Sequence, residues 1–81
     1  MEIILKAKIN SITEIQGKIS VELIFNQGEL KTINAIPEAF HLIKQLDSID
    51  DKVFKITVTK ELVKLKTKEV NRLTIINIEL S

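Results

Sequence analysis

The chain has 81 residues, a formal net charge of +1, 44% hydrophobic and 28% charged residues. It is long enough for one folded domain with a small core, and too apolar to be a disordered segment. With no cysteine and one histidine, it has no material for disulfides, thiolate metal sites or a Cys nucleophile, and no metal or cofactor is expected. The opening MEIILKAK carries an acidic residue at position 2 and only a three-residue apolar run. It reads as neither a signal peptide nor a membrane span, and the expected location is the cytoplasm.

The charge is unevenly spread. Residues 1–51 carry five Lys against eight acidic residues, a net of −3; residues 52–72 carry seven basic residues against Glu61 and Glu69, a net of +5. Such asymmetry points to an anionic partner. Composition offers a plainer source: eleven Lys stand beside one Arg and fifteen Ile, as an AT-rich genome produces. Dedicated phosphate sites favour the planar fork of Arg.

In chain order, residues 2–9 alternate, with Ile3, Leu5, Ala7 and Ile9 on one face. The apolar phase then jumps to Ile12 and Ile15, the mark of a β-bulge near Asn10–Ser11. Gly17 supplies a turn. Residues 18–25 alternate again, with Ile19, Val21, Leu23 and Phe25 inward. A tight turn at Asn26–Glu29, with Gly28 at φ > 0, leads into a strand over about 29–35. Closing that turn on an Asn26–Glu29 pair places Phe25 beside Leu30 and Val21 beside Asn34.

At Pro37 the period changes. Ile36, Ala39, Phe40, Ile43 and Leu46 follow helical spacing, with Pro and Glu38 as start signals. The spacing predicts a helix over 37–46. A fourth strand covers Phe54, Ile56 and Val58. A phase slip at Lys60–Leu62 suggests a separate fifth strand, with Lys64, Lys66 and Lys68 on one face. Residues 72–80 form the last strand, with Thr74, Ile76, Ile78 and Leu80 on its main face.

The fold class is therefore mainly β with one short helix (α+β), in the order βββ-α-βββ. It is either a small open barrel or a twisted antiparallel sheet packed on one helix. A bent first strand, a meander and a helix between strands three and four resemble the oligonucleotide/oligosaccharide-binding (OB) barrel in element order, over roughly residues 1–68. That resemblance implies a nucleic-acid or nucleotide ligand on the sheet.

Lys64, Lys66, Lys68 and Arg72, with Lys55, are the candidate anion-binding residues. Three lysines at two-residue spacing recur every ~6.6 Å along a strand, near the phosphate repeat of an extended single strand. Lys on an edge strand also guards against aggregation without binding anything. No Trp or Tyr is present, and Phe25, Phe40 and Phe54 fall on core faces, so bases have nothing to stack on. His41 with Glu38 and Gln45 forms a surface group on the helix without a nucleophile. Asp47, Asp50 and Asp51 match no calcium-loop pattern. No catalytic residue is assigned, and the chain is not expected to be an enzyme.

Ile4, Ile24, Ile33, Leu73 and Ile75 lie off the main inward rows and are the candidate interface residues. They lead to a main reading of a non-catalytic module that self-associates, as a homo-oligomer, or docks on a larger protein through strand surfaces. Short, Cys-free, Ile/Lys-rich chains also resemble accessory proteins of phages and mobile elements, which implies occlusion or sequestration of a host factor. The alternative is a nucleic-acid or nucleotide binder using the basic 52–72 segment. One spectrum separates them. Without Trp or Tyr the protein barely absorbs at 280 nm, so a natively purified sample with a strong 260 nm band carries nucleic acid or nucleotide. A spectrum showing only weak Phe structure favours a protein partner.

Overall fold

A computed structural model describes residues 1–81. It contains five strands, β1 (Glu2–Ile15), β2 (Lys18–Ile24), β3 (Leu30–Ala35), β4 (Val53–Lys64) and β5 (Glu69–Leu80), and one 3-10 turn at Pro37–Phe40. The strands close into a barrel in the order β1-β2-β3-β5-β4. All neighbours are antiparallel except β3 and β5, which run parallel and pair only at Asn34↔Thr74 and Ala35↔Ile75.

Closure depends on β1. Its first half pairs with β4, from Glu2↔Thr59 to Lys8↔Val53. Its second half pairs with β2, and the register shifts between Ile9 and Ser11. The phase jump at Asn10–Ser11 is thus a bulge, which bends and twists a strand enough to serve two neighbours. The Asn10 side-chain amide donates to the Glu22 carboxylate across the bend. The β1–β2 hairpin turns on Gln16 and Gly17, both at positive φ (52° and 80°), as a type I′ turn requires.

The core is apolar throughout. Val21, Leu23, Phe54, Ile56, Ile75 and Ile78 are fully enclosed, Ala39 and Ile43 cover one end from the 36–49 segment, and no polar or charged residue is buried. Phe25, Ile36, Phe40 and Leu46 pack around this core half-buried.

Four expectations need correction. The helix predicted over 37–46 is a single 3-10 turn continued by looser turns. Its bonds run mostly from residue i to i−3: Ala39 to Ile36, His41 to Glu38, Ile43 to Phe40 and Leu46 to Ile43, at 3.0–3.2 Å. Ten residues are too few to sustain an α-helix without tertiary support, and the more extended 3-10 rise suits a segment that must reach from β3 to β4. Its apolar residues still face the barrel.

The fourth and fifth predicted strands are one continuous β4, so the order is βββ, one 3-10 turn, then ββ. Pairing with β5 holds β4 straight through the apparent slip at Lys60–Leu62.

Ile33 is buried, not off the inward row. The β2–β3 loop has three residues: the Phe25 amide donates to Glu29 and the Gly28 amide to Phe25, with Gly28 at φ 82°. That shifts the register by one from the expected pairing and sets Val21 beside Ile33. A slip of one residue turns every side chain to the other face.

Ile75 is fully buried for a similar reason. The β4–β5 ladder passes from Thr57↔Asn77 to Val58↔Ile75, so Ile76 is the extra residue of a bulge. The inward positions become Ile75 and Ile78, three apart, while Leu80 is exposed.

The observed register makes a sharp prediction. Ile33→Lys should cost about 3–5 kcal/mol, enough to unfold much of a small domain, whereas the neighbouring Thr32→Lys should change stability by less than about 1 kcal/mol. Urea denaturation of both variants tests this; the opposite ranking would restore the two-residue turn.

Candidate nucleic-acid interface

Beyond Lys60 the β4–β5 hairpin leaves the barrel. The last link to β1 is the Lys60 amide donating to the Met1 carbonyl at 2.9 Å. From there β4 pairs only with β5, from Glu61↔Arg72 to Lys64↔Glu69. The Leu65 amide donates to the Lys68 carbonyl at 2.7 Å, which puts Lys66 and Thr67 at the tip. The result is a two-stranded arm on a molecule measuring 44 × 30 × 21 Å. Residues 60–72 carry five basic and two acidic side chains, a net of +3.

The arm also shapes a cleft. Because β3 and β5 pair at only two positions, their earlier residues diverge. Lys31, Thr32, Ile33 and Asn34 then face Asn71, Arg72 and Leu73 across a space of about 270 Å³. A cation stands on each wall, and two side-chain amides add donors and acceptors.

The candidate residues are distributed as follows. Lys64, Lys66, Lys68 and Arg72 all lie on the arm, but not as a row on one strand face. Lys64 ends β4, while Lys66 and Lys68 belong to the connecting turn, because β4 stops where its pairing stops. Two arm cations are tied to carboxylates: Lys64 to Glu69 at 4.0 Å and Arg72 to Glu61 at 3.7 Å. All four partners are largely exposed. Lys55 stands apart, about 30 Å along β4 from Lys64, and is paired with Glu79 at 3.4 Å.

Lys31, Asn34 and Asn71 were not recognisable as site residues in the sequence. Asn71 lies on the arm itself, whereas Lys31 and Asn34 join it only through the β3–β5 contact, about forty positions away in the chain, and no local pattern reports that pairing.

Elsewhere the surface is plainer. The outward face of β2 and β3 carries Ser20, Glu22, Thr32 and Asn34 in cross-strand pairs, with the Ser20 hydroxyl 3.2 Å from Asn34 Oδ1. No aromatic ring lies on it or in the cleft: Phe54 is fully buried, and Phe25 and Phe40 pack half-buried against the core. His41 lines a separate open recess with Pro37, Glu38, Phe40 and Lys44. Asp47, Asp50 and Asp51 join no group of three or more ligands suited to a metal. Of the proposed interface residues, Ile4 is exposed, Ile24 and Leu73 are half-buried, and Ile33 and Ile75 belong to the core. No helix is long and apolar enough to cross a membrane.

No protein-family model matches the chain, and no curated protein matches it in sequence. Among solved structures it is similar to the crystal structure of Rim1, a mitochondrial single-stranded DNA binding protein from S. cerevisiae. The TM-score is 0.57 at 9% identity, over 98% of this chain and 90% of that one. The likeness is one of fold. Together with the strand order, it supports an OB-like β-barrel.

The cross-strand ion pairs of the arm should contribute little to stability, since exposed pairs are worth about 0–1 kcal/mol. Glu61→Gln and Glu69→Gln together should therefore leave the urea midpoint nearly unchanged. A loss above about 1.5 kcal/mol would show that these pairs hold the arm in place.

Proposed function

We propose that this chain is a non-catalytic module that binds nucleic acid through the β4–β5 arm and the adjoining β3–β5 cleft. One observation carries the reading: the barrel places Lys31 and Arg72 on opposite walls of a single cleft, at the root of an arm bearing Lys64, Lys66 and Lys68. In OB barrels the surface of strands two and three and the loop between strands four and five hold oligonucleotides; here Lys31 belongs to β3, and Lys66 and Lys68 to the β4–β5 turn. The fold neighbour's description as a single-stranded DNA binding protein supports the same class of ligand.

The chemistry available sets the mode. Lysine is a point charge without bidentate geometry, and no ring on which a base could stack lines the cleft. The binding is therefore mainly electrostatic and sensitive to salt.

A second reading, self-association or docking through strand surfaces, keeps support from exposed apolar side chains. Ile4, Leu62, Leu65 and Leu80 are each at least half exposed. Sedimentation velocity over a wide concentration range checks it; a monomer throughout counts against self-association.

For the primary reading, fluorescence anisotropy with labelled oligonucleotides is decisive. With about four phosphates contacted, affinity should fall about 50- to 150-fold between roughly 50 and 200 mM salt. Lys31→Glu, Lys66→Glu and Lys68→Glu combined should abolish binding, while Lys55→Ala, away from the arm, should not alter it. Wild-type affinity in the triple variant would refute the assignment.

A further inference from the structure

The arm has a shape that the cleft alone does not explain. Resting on the nucleic-acid reading above, we infer that its preferred ligand is a duplex, entered through the major groove by the β4–β5 arm, and not an isolated single strand.

Two observations lead there. First, a single strand is ordinarily held by rings on which its bases stack, each worth about 1–3 kcal/mol. No ring lies on the arm or in the cleft: the three Phe are buried or half-buried against the core, and His41 lines a recess elsewhere. An unpaired strand would find no ring there to stack its bases on.

Second, the arm has the dimensions of a groove reader. Between Glu61↔Arg72 and Lys64↔Glu69 it is a ribbon of two strands, with no third strand on either side. Paired strands lie about 4.8 Å apart, and four residues plus the turn extend about 13–20 Å. The major groove, about 12 Å wide and 8.5 Å deep, admits a two-stranded β-ribbon.

The side chains on the ribbon suit that position. Leu62 and Asn71 are register partners and so stand side by side on one face. Asn pairs bidentately with an adenine edge, and an apolar group meets a thymine methyl, so this pair offers both contacts that an A·T step displays. Leu62 and Leu65 are 59% and 50% exposed, a disposition without purpose in water but useful against base edges. Lys64 and Arg72 are partly neutralised across the ribbon. Lys66 and Lys68 at the tip and Lys60 at the root remain for phosphates on either side of the groove.

The test compares a duplex of about 20 base pairs with a single strand of the same length by anisotropy, using the full chain at low salt. The duplex should bind at least tenfold more tightly. Methyl green, which occupies the major groove, should displace the protein, and netropsin, a minor-groove ligand, should not. Leu62→Glu with Leu65→Glu, both at exposed positions, should weaken duplex binding more than tenfold while leaving the urea midpoint near wild type. Equal or tighter single-strand binding, or displacement by netropsin alone, overturns the inference and leaves the nucleic-acid reading intact. Binding of neither ligand overturns both.

Discussion

The architecture depends on one strand serving two neighbours. β1 is 14 residues long, and no straight strand could pair with β4 along its first half and with β2 along its second. The bulge at Asn10 supplies the bend, and the barrel closes through it. Closing a sheet removes the exposed edges that threaten any small β-protein. It also lets 81 residues enclose a wholly apolar core with no buried polar group to satisfy.

The opposite seam is weaker, and the surface chemistry gathers there. β3 and β5 meet over only two residue pairs. Where they part, the cleft opens, and where β5 passes beyond the barrel with β4, the arm begins. Both features follow from strands of unequal length: β4 and β5 have 12 residues each and β3 has six. The excess length cannot be buried, so it carries charge. Cross-strand pairs offset part of that charge on the arm, leaving the unpaired lysines at its tip and root.

Much of the fold can be read in the residues. Alternation identifies β1, β2 and the first half of β4 with the correct inward rows. The phase jump after Ile9 correctly marks the bulge, and the element order already resembles an OB barrel. Where such reading fails, register is the cause. A three-residue loop in place of a two-residue one sends Ile33 inward, and the bulge at Ile76 sends Ile75 inward. Both look like surplus apolar residues on a strand considered alone. The site was legible only in part: a basic segment is visible in the sequence, but LVKLKTK alternates so well that it reads as a strand when its second half is a turn.

Local composition thus determined what this chain is made to do in bulk: form strands, bury aliphatic side chains, carry its positive charge late, and dispense with cysteine and free aromatic rings. Those properties follow from each residue's own hydrophobicity and charge, and from a side-chain period of two. Tertiary structure alone decided which faces are inside and which charges are neighbours. Register and closure are set by pairings between residues far apart in the chain, so Lys31 and Arg72 line one cleft only because β3 lies beside β5. The same pairing ends where β5 outruns β3, and that is why part of the basic segment stands free as an arm.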